Sequence, residues 1–181
     1  DMTDVKELGV KVGTSATAFE GAFTVDNVVV SKLGEAAELV VTETAVVYDF
    51  EDGAQGWEIA TEWPQVTGLE VVDGALVMSG AWTGDGWNEG GVYIQSEDGF
   101  DLSEYDLLSV EVCAPEGAVE FFAQIFMRTT EDLAWANNPG GAPEAGGCVV
   151  YEAKLADMGD MTDVKELGVK MTPELKSPSV E

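Results

Sequence analysis

The sequence predicts an all-β protein, a single-domain antiparallel β-sandwich. Three observations predict this fold. Apolar residues recur mostly with a period of two, Gly- and Pro-rich clusters separate the alternating segments, and 181 residues with 45% hydrophobic content suffice for one sizeable core. Seven or more short strands at regular spacing are typical of a sandwich.

The alternating segments are the predicted strands. They lie at 22–30, 69–79, 91–96, 107–114, 119–129 and 148–155. Helix-like patterning is confined to two short pieces, 5–9 and 164–168, each of which ends in a Gly suited to a helix C-terminus.

An exact repeat is the most specific feature of the chain. The eleven residues DMTDVKELGVK at 1–11 recur unchanged at 160–170, which is 159 positions later and about one domain away. A short structural repeat would recur throughout the chain at 20 to 50 residues. We therefore interpret the chain as one module in rearranged order, either circularly permuted or cut from a tandem array.

This interpretation divides the chain into four segments. The body of the module is residues 46–170, and its natural continuation is found in the N-terminal segment, 1–33. Residues 34–45 are then a linker, and 171–181 are a polar tail with two prolines.

The body lacks a last strand, and residues 19–30 are expected to supply it beside the first strand, near Val46. We expect completion within one chain, with a strand-swapped dimer as the alternative. The two repeat copies should compete for one position, so that one of them is displaced.

Charge and composition exclude several functions. Eight basic against 35 acidic residues give a net charge of −27, which excludes nucleic acid and anionic membranes as partners. The charge favours a divalent cation such as calcium, or else a highly soluble surface. Histidine is absent from the sequence, so any catalysis would depend on carboxylates.

Two cysteines, Cys113 and Cys148, have a spacing that fits no zinc site. They are either an interstrand disulfide or two buried thiols. No apolar run of membrane-spanning length and no leader-like N-terminus are found, so we expect a soluble, mature, secreted chain, free or attached to a cell surface.

Once reordered, residues 46–170 followed by 12–30 resemble the calcium-binding jelly-roll carbohydrate-binding modules of bacterial mannanases, glucanases and xylanases. The matching features are the FEDGAQGW stretch from Phe50 to Trp57, the VKELGV segment and the closing VDNV strand. Mannan and glucan binders are the most similar. The resemblance implies a structural calcium ion between the first and last strands, with Glu51 and Asp26 as ligands.

Sugar-binding modules of this kind stack Trp or Tyr rings on pyranose faces. The candidate rings are Trp63, Trp82, Trp87 and Trp135, whereas Trp57 is expected in the core. Alternation in 121–128 places Gln124 and Arg128 on the face opposite the core, with Gln95 and Tyr93 as neighbours. Arg128 could equally form a surface salt bridge.

The leading hypothesis is a non-catalytic module that binds a β-1,4-linked mannan or glucan chain in a shallow cleft and targets a parent multimodular enzyme to it. The alternatives are a structural or adhesive repeat of a cell-surface protein and a small jelly-roll glycanase with two catalytic carboxylates.

Overall fold

Alternating polar and apolar side chains produce an almost entirely β structure. The computed structural model describes residues 5–14, 18–34, 41–83, 88–118, 120–129, 134–137, 140–142, 144–158 and 166–169. Within these residues the strands are β1 (Val5–Thr14), β2 (Phe19–Leu33), β3 (Val41–Tyr48), β4 (Glu58–Pro64), β5 (Val66–Val72), β6 (Ala75–Trp82), β7 (Asn88–Phe100), β8 (Leu107–Cys113), β9 (Phe122–Thr129), β10 (Ala134–Asn137), β11 (Cys148–Lys154) and β12 (Glu166–Val169). The helical part is one 3₁₀ turn, Leu155–Asp157.

The strands form two sheets. Sheet A has the order β10-β9-β12-β1-β7-β4, with a further pairing between β9 and β1. Sheet B has the order β11-β8-β2-β6-β5, and β3 also pairs with β2. All pairings are antiparallel except that between β1 and β12. The fold class predicted from the sequence, an all-β sandwich, is therefore confirmed.

The core lies between the two sheets and is built from the inward face of each strand. Sheet A contributes Leu8, Val10 and Val12, and sheet B contributes Phe23 and Met78; all five side chains are at most 3% exposed. Trp57 is also buried in the core, as predicted.

Strand β2 lies beside β3, as predicted for residues 19–30 and the strand near Val46. It lies between β8 and β6 in sheet B, and its second half pairs with β3, with Val29 opposite Val46. Residues 41–45, predicted as the end of a linker from 34, are part of β3 and pair with β2 through Ala45 and Val41. The predicted linker segment therefore includes the start of a strand.

The described parts of the two repeat copies are strands, within β1 and in Glu166–Val169 of β12. This corrects the helical interpretation of 5–9 and of 166–168, whereas residues 164 and 165 lie outside the described residues. Five residues are too few to hold a helix by themselves. From Glu7 to Val12 the chain alternates polar or Gly with apolar residues, which is strand periodicity. The side chains at 8, 10 and 12 enter the core and those at 7 and 11 point to the other face of sheet A.

The copies also share a register on β9. Met127 is the partner of Leu8 in β1 and of Leu167 in β12, and Phe126 is the partner of Gly9 and of Gly168. Both copies therefore pair with the same residues of the same strand.

Two local features complete the fold. Segment 69–79 is not one strand but part of the β5–β6 hairpin, turned at Asp73 and Gly74, which both have positive φ (52° and 79°). This Asp-Gly pair is a typical two-residue hairpin turn. Cys113 and Cys148 are directly opposite each other on β8 and β11 and form a disulfide. Of the two states left open by the sequence, the bonded one is present.

Candidate functional site

Strand β9 has the two faces that its sequence predicts. Phe121, just before the strand, and Ala123, Ile125 and Met127 within it are at most 1% exposed and face the core. Gln124, Phe126 and Arg128 alternate with them and define the outer face of sheet A, which carries the candidate site.

Strand β1 places its polar side chains beside those of β9. Lys11 is opposite Gln124, and Glu7 is opposite Arg128. Between them, Gly9 is opposite Phe126, and a Cβ at Gly9 would clash with the Val92 carbonyl and with Tyr93 on β7. A glycine is therefore required at this position, because β7 approaches β1 closely there.

Strand β4 bulges over this face. Its residues Ile59 and Pro64 pair with Val92 and Gly90 of β7, so residues 60–63 of β4 span a single β7 residue. These extra residues place Glu62 in an ion pair with Arg128 and Trp63 above residues of β1 and β9. We call residues 60–63 the β4 bulge.

The Trp63 ring is held by three neighbours. The Lys11 ammonium lies 4.2 Å from the ring centroid, and the Phe126 ring is perpendicular to it at 5.1 Å between centroids. A Cβ on Gly91 would approach Trp63 Cε3 to 2.8 Å, so glycine leaves the space that the indole occupies. The indole itself is partly exposed. The chain thus presents a positioned aromatic ring on an open sheet face.

We name this surface the platform. It consists of the accessible groups of the outer face of sheet A and the buried residues beneath them: Glu7, Lys11, Glu62, Trp63, Glu89, Tyr93, Gln95, Gln124, Phe126 and Arg128. Trp63, Glu62, Gln95, Tyr93 and Arg128 are partly or fully exposed, whereas Glu7, Lys11, Gln124 and Phe126 are buried.

Two ion pairs support the platform. Lys11 is 2% exposed and forms an ion pair with Glu89 of β7. Arg128 forms a more exposed ion pair with Glu62, which is the surface salt bridge that the sequence left open as an alternative. Because a buried charge requires a partner, the Lys11–Glu89 pair fixes the side chains beside Trp63.

Glu7 is a buried acid of the platform whose pKa is raised. It is 1% exposed, and its Oε2 accepts a hydrogen bond from Gln95 Nε2 at 3.1 Å. Burial raises the pKa of Glu7 to about 8, although the hydrogen bond from Gln95 and the charge of Arg128 act in the opposite direction. Glu7 is therefore largely a neutral hydrogen-bonding group at pH 7.

This raised pKa predicts a pH dependence of stability. The pKa of Glu7 is higher in the folded than in the unfolded state, so its contribution is fully present below about pH 4.5 and is lost as pH rises to about 8. Replacing both Glu7 and Glu166 with Gln, because the two share a register, should flatten the fall in stability by up to about 1.4 kcal/mol per pH unit in this window. Urea unfolding at pH 5, 6, 7 and 8 measures it. Equal slopes in the variant and the wild type would contradict the assignment.

The structure separates the other predicted sugar-binding residues. Gln95 is exposed on the platform, and Gln124 lies there but is 8% exposed. Trp135 lies on β10 as the register partner of Arg128, at the same sheet. Trp87 lies outside the described residues.

Trp82, one of the candidate sugar-stacking rings, is buried in the core. Trp82 ends β6, is 2% exposed, and its Nε1 donates a hydrogen bond to the carbonyl of Val12 at 3.1 Å. It packs edge-on against Phe23 and Phe121. The period of β6 places Leu76, Met78 and Trp82 on the core side, so this indole has no face free for a ligand.

The predicted calcium ligands lie at one end of sheet B. Asp26 follows Val25, which pairs with Leu76 beside the Asp73–Gly74 turn. The Glu51 carboxylate lies against the same turn, since a Cβ on Gly74 would be 2.6 Å from Glu51 Oε1. Glu51 is exposed in the turn that follows β3. Among the described residues, no group of three or more acidic, His or Cys side chains is placed to hold a metal.

A second concavity, of about 300 Å³, lies on sheet B. Its lining includes Glu20, Thr67 and Ser79 together with small residues. No aromatic ring lines it, so it lacks the stacking surface that the platform provides.

Sequence reasoning missed Glu7, Lys11, Glu62, Glu89 and Phe126 as members of the site. The alternation from Glu7 to Val12 was the available signal for the first two. The bulge that brings Glu62 to Arg128 has no comparable signal in the sequence.

Taken together, these features define the class of protein: a β-sandwich domain with a positioned aromatic ring and polar side chains on one sheet face. The chain belongs to the family described as "Mannanase, galactose-binding domain-like", whose model matches residues 48–180, well over half of the chain. This membership supports a carbohydrate-binding β-sandwich domain. No curated protein and no solved structure matches the chain. No helix among the described residues is long and apolar enough to cross a membrane.

Proposed function

We propose that this chain is a non-catalytic, extracellular module that binds a β-1,4-linked mannan or glucan chain on the platform and holds an attached enzyme near that polysaccharide. The observation that carries the proposal is the Trp63 ring, held over sheet A by Lys11 and Phe126. Between the two polysaccharides we favour mannan, because the matched family is named for mannanases.

The chemistry of the platform suits a sugar chain. Pyranose rings have an apolar face that stacks on an indole, and their hydroxyls need directional donors and acceptors. Gln95 offers an amide, Arg128 a planar guanidinium and Glu62 a carboxylate, all on the same face as Trp63. The platform is open and shallow, as a site for the interior of a long polymer should be.

The polar groups that would meet the hydroxyls are already paired with one another, which reduces the reorganisation needed on binding. Arg128 is oriented by Glu62, and Gln95 by Glu7. Preorganised side chains lose less conformational entropy when a ligand binds.

Replacing Trp63 with Ala should weaken mannan binding at least 30-fold, a loss of about 2 kcal/mol or more, because the central aromatic residue of a binding surface carries much of its energy. Affinity electrophoresis in gels with mannan, β-glucan or xylan measures the change. Tyr105→Ala is the matched control, since Tyr105 also lies under a lysine, with Lys32 Nζ 5.4 Å from its ring, but is not on the platform.

Retardation of the wild type in mannan that persists in the Trp63→Ala variant would contradict the assigned site. Absence of retardation in every gel would favour a structural or adhesive repeat. Release of reducing sugar from any of the polysaccharides would show catalysis and refute the non-catalytic assignment.

We also propose that a calcium ion stabilises the end of sheet B at Asp26 and Glu51. The Glu51 carboxylate lies against the Asp73–Gly74 turn, and Asp26 follows Val25, whose register partner Leu76 is beside that turn. Asn27, Phe50 and Asp73 have positive φ, so the backbone departs from strand geometry around both carboxylates. Two carboxylates fit only part of a calcium shell, so backbone carbonyls would have to supply the rest.

Calcium should raise the melting temperature relative to EDTA by roughly 5–10 °C, since a ligand at 100 times its Kd stabilises by about 2.7 kcal/mol. Asp26→Asn should abolish this shift, and Glu70→Gln, at an exposed position of β5, should retain it. Differential scanning calorimetry with 1 mM CaCl2 or EDTA checks both variants. Equal melting temperatures of the wild type in the two buffers would rule calcium out.

A further inference from the structure

We propose that the position between β7 and β9 is an acceptor site for an extended strand of the repeat sequence, and that it takes this strand from either copy in its own chain or from a second copy of this chain. The proposal rests on strand pairing and does not depend on carbohydrate binding.

The first observation is that the two copies are alternative occupants. Arg128, Met127 and Phe126 of β9 pair with β10 on one edge, and the same three residues pair with both β1 and β12. A strand has only two hydrogen-bonding edges, and one edge is already used by β10. β9 therefore binds β1 or β12 at a given moment, not both.

The same argument holds from the side of β1. Its edges are used by β7 and β9, which leaves no edge for the parallel pairing of Leu8 with Leu167. The in-register parallel pairing places identical residues of β1 and β12 at the same level of the sheet. This is the arrangement expected of two strands that occupy the same position in turn.

The second observation is the set of strands with which each occupant pairs. Among the described residues, β1 pairs with both β7 and β9, whereas the pairings of β12 are with β9 and β1. β1 is therefore the occupant that bridges β7 and β9, and its second hydrogen-bonded edge makes it the stronger one. The copy at 160–170 is then available as a donor, and it keeps the sequence that fits the acceptor site.

A displaced strand of this kind can bind in trans. Addition of an extended segment to an open sheet edge is a general mode of protein recognition, with backbone hydrogen bonds for affinity and alternate side chains for register. The alternate side chains of the repeat that enter the core here are Leu8 and Val10, which gives the site a preference for the repeat sequence.

The strand also completes the platform, since Glu7 and Lys11 arrive with it. The other copy carries Glu166 and Lys170 at the same positions of the repeat. This consequence rests on the proposed function, whereas the exchange itself does not.

The repeat supplies matched variants for a test within one chain. Val10 is fully buried and pairs with Ile125, and Val169 pairs with Ile125 in β12. A buried Asp at either position should disable that copy. We expect V169D to leave the melting temperature within about 2 °C of the wild type and V10D to lower it moderately. The melting temperature of V10D/V169D should fall by at least about 5 °C more than the summed decreases of the two single variants.

Exchange between chains is tested by mixing V10D/V169D, whose acceptor site is empty, with wild-type donor or with V169D donor. Multi-angle light scattering after size exclusion should show a 1:1 complex with the wild-type donor and none with V169D, whose second copy is disabled. If the double variant does not fold alone, co-refolding with each donor gives the same comparison.

Two results would overturn the proposal: a double variant no less stable than V10D, or an equal yield of complex with both donors. Retardation of the isolated 1:1 complex in a gel that contains mannan then tests carbohydrate binding separately. A stable complex without retardation would count against the proposed carbohydrate site and leave the strand exchange intact.

Discussion

Replacing both Cys113 and Cys148 with alanine is expected to lower the free energy of unfolding by about 3–4 kcal/mol, which corresponds to a fall of roughly 10 °C in melting temperature. The disulfide joins residues 35 positions apart and closes a loop that contains β9 and β10 of sheet A, while its two ends lie in sheet B. It therefore ties the platform strand to the opposite sheet. Without it, the unfolded chain gains the entropy of that loop.

The informative comparison is between the melting temperatures of the double-alanine variant and of the reduced wild type. Dithiothreitol should lower the wild-type melting temperature to that of the variant and should leave the variant unchanged. A wild-type transition that is insensitive to complete reduction, verified by thiol titration, would show that the disulfide contributes little.

Replacing Lys11 with Met is expected to cost about 3–5 kcal/mol, because breaking one partner of a buried ion pair leaves the other charge uncompensated. Lys11 and Glu89 have side chains only 3% and 11% exposed, and Lys11 also lies over the Trp63 ring. Met has a similar length without the charge, so the change removes electrostatics more than packing. The variant is made in the V169D background, where the second copy cannot substitute for β1.

Glu89→Gln added to Lys11→Met should recover much of the loss, since removing both charges of a buried pair is often near neutral. Lys170→Met, the same substitution in the other copy, should change stability by less than about 0.5 kcal/mol. Chemical denaturation measures these changes, with V169D as the reference for the Lys11 variants and the wild type as the reference for Lys170→Met. A cost below 1 kcal/mol for Lys11→Met would mean that solvent compensates Glu89 and that Lys11 does not hold the platform together.

The sequence predicted the sandwich because strand periodicity is a local property. Alternation in 121–127 fixed which side of β9 faces the core, and the structure buries Phe121, Ala123, Ile125 and Met127 as expected. The partnership of β2 and β3 was also predicted, since the interpretation of the repeat placed residues 19–30 beside the strand near Val46, and Val29 of β2 pairs with Val46 of β3.

Predictions from the sequence were wrong where a short segment fits two periodicities. The VKELG piece at 5–9 looks helical over five residues, but its extension to Val12 alternates like a strand, and pairing of β1 with β7 and β9 determines the strand. Trp82 has Gly and Thr neighbours typical of a loop, yet it continues the inward face of β6. Tertiary contacts, which no local pattern contains, determine both outcomes.

The platform itself was only half predictable. Gln95, Arg128 and Trp63 were foreseen as sugar-contacting residues, and the structure brings them to one face. The residues that hold them, Glu7 and Glu62, depend on the register of β1 and on the β4 bulge. Bulges and registers arise from pairing between distant segments, so they could not be derived from the residues alone.

Titration of the ¹⁵N-labelled protein with a linear β-1,4-mannohexaose, followed by the indole N–H resonances, tests the carbohydrate site most directly. The Trp63 resonance should shift with saturation, and those of Trp57 and Trp82, which are at most 3% exposed, should not. Backbone shifts should cluster on β1, β4, β7 and β9. An unperturbed Trp63 resonance, or shifts confined to sheet B, would contradict binding on the platform.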